Sequence, residues 1–387
     1  MNGNPSPRDY NKASVLDVVL SRAPVTRTEV MELTGLSKAT VSRAVEELRV
    51  DGFVVDGSVD EVRGRGRRST YLDVPGTTGH VAGVSFGVRT SCVLVADLRG
   101  REIDHVVLPT AAHEEVRGAS RWLADLVTAA RASAEGPLRH VVVAVPGRVM
   151  AGSELVGPAE AMMEFAGPQL QRSLADLVEA PVLLESDANA SLLGILTRDD
   201  SVRNAVLFTL SSILNFASCT DHVLLRGRSP AFGDVGLLAS GVGDETLAGL
   251  LSTSGLLRFA RAQGVELTRI EDLWETPTGS ASRATVLDAF TTAVVTAVCA
   301  VAVTLDPDSV YFVGRLQPLV DQVMPEVRRR LLEVLSSVPH TATAQQVLGL
   351  SVAQGAVDAG LGLVRAVLRD AVLDARRPSQ STPAPAF

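Results

Sequence analysis

The sequence predicts an α/β protein built from a small N-terminal winged helix-turn-helix unit and a larger α/β body. Three observations predict it. Two short, capped helical stretches are joined by Thr34-Gly35-Leu36. Two β-prone runs follow them, linked by an Arg/Gly-rich connection, and beyond Pro75-Gly76 apolar strand-like runs alternate with helical stretches. With 387 residues, 46% of them hydrophobic, the chain can hold a small domain and a two-lobed body, since single cores stop growing near about 250–300 residues.

Residues 1–9 are polar and contain proline, and 376–387 form a Ser/Pro/Ala tail; both are expected to be disordered, because neither buries enough surface to offset ordering entropy. Over residues 12–22, Val15, Leu16, Val19 and Leu20 recur at helical spacing until Pro24. Thr26 with Glu29 three residues on forms a capping-box pattern, Val30 and Leu33 supply a buried face, and Gly35 ends the helix. Ser37 caps a third helix lined by Val41, Val45 and Leu48 and stopped at Gly52. Residues 53–55 and 70–74 read as the strands of a wing, which completes a head spanning 10–75. In the body the clearest strands fall in 80–98, 141–145, 182–184, 206–210 and 310–313. They divide it into a first lobe, 76–200, and a second lobe with C-terminal helices, 201–375.

The net charge of −8 argues against a protein that coats nucleic acid without specificity. Eleven Lys/Arg balance eleven Asp/Glu over residues 1–75, so the deficit lies in the body and the head keeps its positive charges clustered. Cys92, Cys219 and Cys299 form no CxxC pair, which fits a reducing compartment and gives no metal or disulfide framework. The first residues carry no apolar stretch, and no later run approaches the ~20 uncharged residues needed to span a bilayer. A cytoplasmic protein without membrane contact is expected.

The second helix of a helix-turn-helix enters the major groove by its early residues, which nominates Ser37, Lys38, Thr40, Ser42 and Arg43 for bases or phosphates of double-stranded DNA. Val41 and Ala44 face inward instead. Arg63, Arg65, Arg67 and Arg68, interleaved with Gly64 and Gly66, form a flexible cationic strip able to enter a narrow minor groove. A surface Ser/Arg pattern or a solvated loop accounts for either feature alone. The two in this order point to DNA binding.

From residue 10 to about 370 the chain resembles the ROK family (repressor, open reading frame, kinase): the head with its GRGRRSTYLDV wing, then GVSFGVRTSCVLVADLRGREI, VVVAVPGRVM, LLESDANASLLGI and DPDSVYFVG. The resemblance implies an actin/sugar-kinase-like (ribonuclease H-like) body and a transcriptional regulator, by default a repressor. It further implies a homodimer or homotetramer on an inverted-repeat operator, with a possible small-molecule effector.

Family kinases cradle ATP in glycine turns. Here D-I-G-G-T becomes SFGVR at 85–89, G-T-G-I-G becomes SSILN at 211–215, and the late G-G-G becomes Gly314-Arg315-Leu316. Loss of all three argues against phosphoryl transfer, which depends on such positioning, so no enzyme activity and no cofactor are expected. Asp187 matches the family's sugar base; with Asn189 it is either an effector contact or a hydrogen-bonded turn and helix cap. The family's zinc-site G-E-x-G-H reads Gly233-Asp234-Val235-Gly236-Leu237, without histidine or nearby cysteines, so no metal is expected and Asp234 remains a possible effector contact. A working sugar or sugar-phosphate sensor around Asp187 and Asp234 is the first rival reading, and a carbohydrate kinase the weakest.

Overall fold

The computed structural model describes residues 5–57, 71–111, 115–150, 154–157, 160–229, 231–275, 281–343 and 352–374. Helix α1 spans Pro7–Arg22, so residues 7–9, expected to be disordered, form its first turn instead. The cause is a capping box: Ser6 Oγ accepts from the Asp9 backbone N–H, the Asp9 carboxylate accepts from the Ser6 N–H at 2.8 Å, and Pro7 needs no donor at the first position. The tail 376–387 lies outside the described residues.

After strand β1 (Val25–Thr26), α2 (Arg27–Thr34) is capped by Thr26 and Glu29 as expected and closes on Gly35 at φ +68°. Helix α3 (Lys38–Val50) follows, capped by Ser37. Strands β2 (Val55–Gly57) and β3 (Tyr71–Asp73) complete an antiparallel sheet ordered β1-β3-β2. The first wing strand starts later than residue 53 because the Phe53 N–H bonds to Leu48 O at 2.9 Å, closing α3 rather than joining a ladder. Leu16, Val19 and Leu20 pack with Val45, Leu48 and Leu72, all fully buried. Each such side chain contributes about 1.5–3 kcal/mol as an upper bound.

The body holds two sheets of one topology. In chain order the first half comprises β4 (His80–Phe86), β5 (Thr90–Asp97), β6 (Glu102–Pro109), α4 (Val116–Ala130), β7 (Leu138–Val145), the hairpin β8 (Arg148–Met150) and β9 (Glu154–Val156), α5 (Gln169–Val178), β10 (Val182–Ser186) and α6 (Asp187–Leu196). The second comprises β11 (Ala205–Leu210), β12 (Leu214–Thr220), β13 (Val223–Leu224), α7 (Leu247–Leu251), α8 (Thr253–Ala262), α9 (Asp272–Glu275), α10 (Ala281–Leu305), β14 (Ser309–Val313), α11 (Gln317–Val334) and β15 (His340–Thr343). The sheets run β10-β7-β4-β5-β6 and β13-β12-β11-β14-β15. In each, three strands are parallel and the other two continue as an antiparallel meander. The stretch 80–98 is therefore a hairpin, folded back at residues 87–89, rather than one strand.

Among the described residues, α10 is long and apolar enough to cross a membrane, but half of its most apolar window is buried. Phe290, Val294 and Val298 place it in the core of the second sheet.

Helix α12 (Val352–Asp374) corrects the expected boundary, because it leaves the second lobe and lies on the first sheet against β4, β5, β7 and α6. Val357, Leu361, Val364 and Leu368 join the same apolar cluster as the head helices, so the far half of α12 supports α1. Among the described residues, two ion contacts link head and body: Arg369 with Asp17 at 3.4 Å, and Arg99, which joins Asp73 of β3 at 2.8 Å to Asp97 of β5 at 2.7 Å.

Candidate DNA-reading face and interlobe cleft

On α3, Val41 and Ala44 are buried as expected, while Ser37, Lys38, Ser42 and Arg43 are exposed on the opposite side. Thr40 is half-buried. Its hydroxyl lies 2.9 Å from Ser37 Oγ, which also accepts the Thr40 N–H at 3.3 Å, so these two nominees fix the helix start as well as lining its end. Arg8, Lys12, Arg27 and Arg49 are each paired with an acid of the head. Lys38 and Arg43 meet no acid among the described residues, which leaves their charge available to an external phosphate or base. Arg63, Arg65, Arg67 and Arg68 lie outside the described residues.

The second candidate site lies where α6 starts at the end of β10. Ser186, not Asp187 or Asn189, is the N-cap, its Oγ accepting from the Asn189 N–H at 3.4 Å. Asp187 stands at the first helical position and accepts from Asn215 Nδ2 at 2.6 Å. That amide crosses from β12 and also donates to Ser186 Oγ and Gly147 O, each at 3.1 Å. Burial outweighs the bonds from Asn215 and the backbone and pushes the Asp187 carboxyl up to about 6.

Asn189 donates through its amide to Glu185 at 2.8 Å, and buried Glu185 accepts from Arg226 at 2.7 Å. Asp234 forms an ion pair at 2.8 Å with Arg148 of β8. Of the three nominees, Asn189 lines a cavity of about 40 Å³, whereas Asp187 and Asp234 reach it through Asn215 and Arg148, which line it together with Arg226. Sequence reasoning missed Arg148, Asn215 and Arg226, since none stands in a motif that assigns it a role and their partners are distant in sequence. Leu237, at the family histidine's position, is 72% exposed, and among the described residues no group of three His, Cys, Asp or Glu could hold a metal.

The three turns aligned with the family's nucleotide loops make the following bonds within the chain. Between β4 and β5, Gly87 O and Arg89 O accept from Thr110 at 2.6 and 2.9 Å. Between β11 and β12, Ser211 N–H donates to Ile213 O at 3.2 Å and Ser211 O accepts from Thr253 at 2.8 Å. After β14, Arg315 is held by Glu271 through two bonds of 2.7 and 3.0 Å.

The ROK family model matches residues 81–361. The xylose repressor of Caldicellulosiruptor bescii is 25% identical over 236 residues, 59% of this chain and 58% of that repressor, so the match spans less than two thirds of its length. An uncharacterized protein of Sinorhizobium fredii is 26% identical over 403 aligned positions, covering 97% of each chain. Among solved structures, a ROK family transcriptional regulator, a homolog of the E. coli MLC protein, superimposes with a TM-score of 0.73 at 15% identity over 95% of this chain and 99% of that one. A ROK glucokinase from Streptomyces griseus gives 0.59 at 18% identity, over 73% of this chain and 99% of its own. These structural likenesses show a shared fold. The family model covers well over half of the chain, and the chain belongs to the ROK family.

Proposed function

We propose that this protein is a sequence-specific DNA-binding transcriptional repressor of the ROK type that transfers no phosphate. The observation that carries the reading is the capped α3, with Lys38, Ser42 and Arg43 exposed along one side and no acid partner for its cations among the described residues. Relatives named as xylose repressors point the same way. The wing arginines Arg63, Arg65, Arg67 and Arg68 would add minor-groove contacts. A symmetric dimer or tetramer on an inverted repeat is the simplest way for such heads to gain affinity. A cytoplasmic setting follows from the DNA-binding role.

The body acts as the head's support and sensor. Helix α6, which starts at the cleft with Asp187 and Asn189 in its first turn, packs on α12, and α12 packs on α1. A change in lobe closure at the cleft thus has a continuous packed route to the head. Kinase chemistry is disfavoured by the three altered turns, which lack most of the glycines whose backbone N–H groups would cradle phosphate. The test is to incubate the purified protein with sheared DNA of its source genome and sequence what it retains. Discrete palindromic sites support the reading; uniform or no retention, or ATP-dependent sugar phosphorylation, contradicts it.

A further inference from the structure

The cavity at the interlobe cleft is lined by two cationic side chains and by no carboxylate among the described residues. Arg148 enters from β8 of the first lobe, and Arg226 from the loop after β13. Ser186, Asn189, Asn215 and Ser229 supply the remaining polar lining. The nearby acids stand behind this layer. Asp234 holds Arg148, Glu185 holds Arg226, and Asp187 is turned to Asn215. Each acid orients a donor and none faces the cavity, which is opposite to the arrangement needed for carboxylates to accept from sugar hydroxyls.

Arg148 is also incompletely bonded. Its Nη1 reaches Asp234, but its Nε is buried and has no hydrogen-bond partner among the described residues. A buried guanidinium N–H without an acceptor costs about 1–3 kcal/mol or more; the side chain is part-exposed, and a small turn of it would offer this N–H to a forked oxyanion, whose geometry matches it. The cavity is open to solvent, so a charged end group can seat between the two guanidinium groups while the rest of a metabolite lies outside.

We infer that the cleft binds a small oxyanion, the carboxylate or phosphate end of a metabolite, between Arg148 and Arg226. This rests on the reading of the body as a sensor and names the chemistry that it senses. Because Arg148 joins the first lobe to Asp234 of the second, an anion that engages Arg148 competes with the interlobe ion pair and changes how the lobes close.

The test is thermal melting of the full chain with inorganic phosphate, D-glucuronate, D-glucose 6-phosphate and D-glucose. The same series is run on Arg148→Gln, on Arg226→Gln and on Arg329→Gln, a remote surface control on α11. At least one anion is expected to raise the melting temperature where glucose does not, and its apparent Kd to rise tenfold or more in both cleft variants but not in the control. Glucuronate and glucose 6-phosphate separate a carboxylate source from a phosphate source. Should Arg148→Gln fail to fold, Arg226→Gln decides, because the Arg226 side chain is more than half exposed and a glutamine amide can still donate to Glu185. No shift with any anion at about 10 mM, an equal shift with glucose, or anion binding that survives both cleft substitutions overturns the inference. Melting requires no DNA, so a head that fails to bind DNA leaves this result readable.

Discussion

Replacing Gly355 by alanine is expected to destabilise the protein, whereas the same change at Gly362, further along α12, stabilises it. A Cβ on Gly355 would stand 1.7 Å from the Ala190 carbonyl oxygen and 2.5 Å from its carbon, both backbone atoms of α6. Neither can rotate away, so the helices must part by roughly 1.5 Å, and a gap of even 0.5–1 Å forfeits about a quarter to a half of each contact's attraction. Overpacking costs about 1–3 kcal/mol, and this site belongs at the upper end because backbone obstructs backbone. The gain in helix propensity, about 1 kcal/mol, does not offset it. At Gly362 nothing lies within 4 Å, so that gain acts alone. At about 2–4 °C per kcal/mol, Gly355→Ala should melt some degrees lower than the parent and Gly362→Ala about 2–4 °C higher. Calorimetry of the three proteins reads the difference. A Gly355→Ala protein that melts at or above the parent would refute the close α6–α12 packing.

Arg43→Ala should weaken binding to a selected site by about 1–3 kcal/mol without lowering the melting temperature, because Arg43 has no partner to lose within the described residues; fluorescence anisotropy and a melt together check this. Leu16→Ala should cost about 2–5 kcal/mol and weaken DNA binding at fixed salt, as a denaturant titration and fluorescence anisotropy would read, since Leu16 is fully buried in the cluster shared by head and α12. Asp187 sits above its ordinary 3.8, at about 6, so the fold holds its proton more tightly than the unfolded chain does. The stability that it contributes is full below about pH 4 and is lost as pH rises through 6. Wild type should therefore lose stability relative to Asp187→Asn over that interval in denaturant titrations; parallel pH profiles would contradict the burial of this carboxyl.

The head was legible because its signals are local. Thr26, Glu29, Gly35 and Ser37 act on backbone groups within a few residues, and the structure uses each at the position read for it. Ser6 and Asp9 carry the same type of signal, but the polar composition around them masked it. Strand β6 escaped because Glu102, Asp104 and His105 stand on an exposed edge and break the apolar alternation. The seat of α12 could not be read, since periodicity shows that a helix has a buried face but not which sheet covers it. For the same reason Asp187, Asn189 and Asp234 could be nominated, while Arg148, Asn215 and Arg226, which complete the cleft, depend on contacts between lobes that leave no local pattern.

The central claim is that the exposed side of α3 reads base edges. Its most direct test is the affinity of wild type and Arg43→Ala for a retained genomic site and for every single-base variant of one half-site, at one salt concentration. The account predicts that Arg43→Ala loses discrimination at one or two adjacent positions and keeps it elsewhere. Equal affinity of both proteins for every variant, or a uniform loss at all positions with discrimination intact, would contradict it.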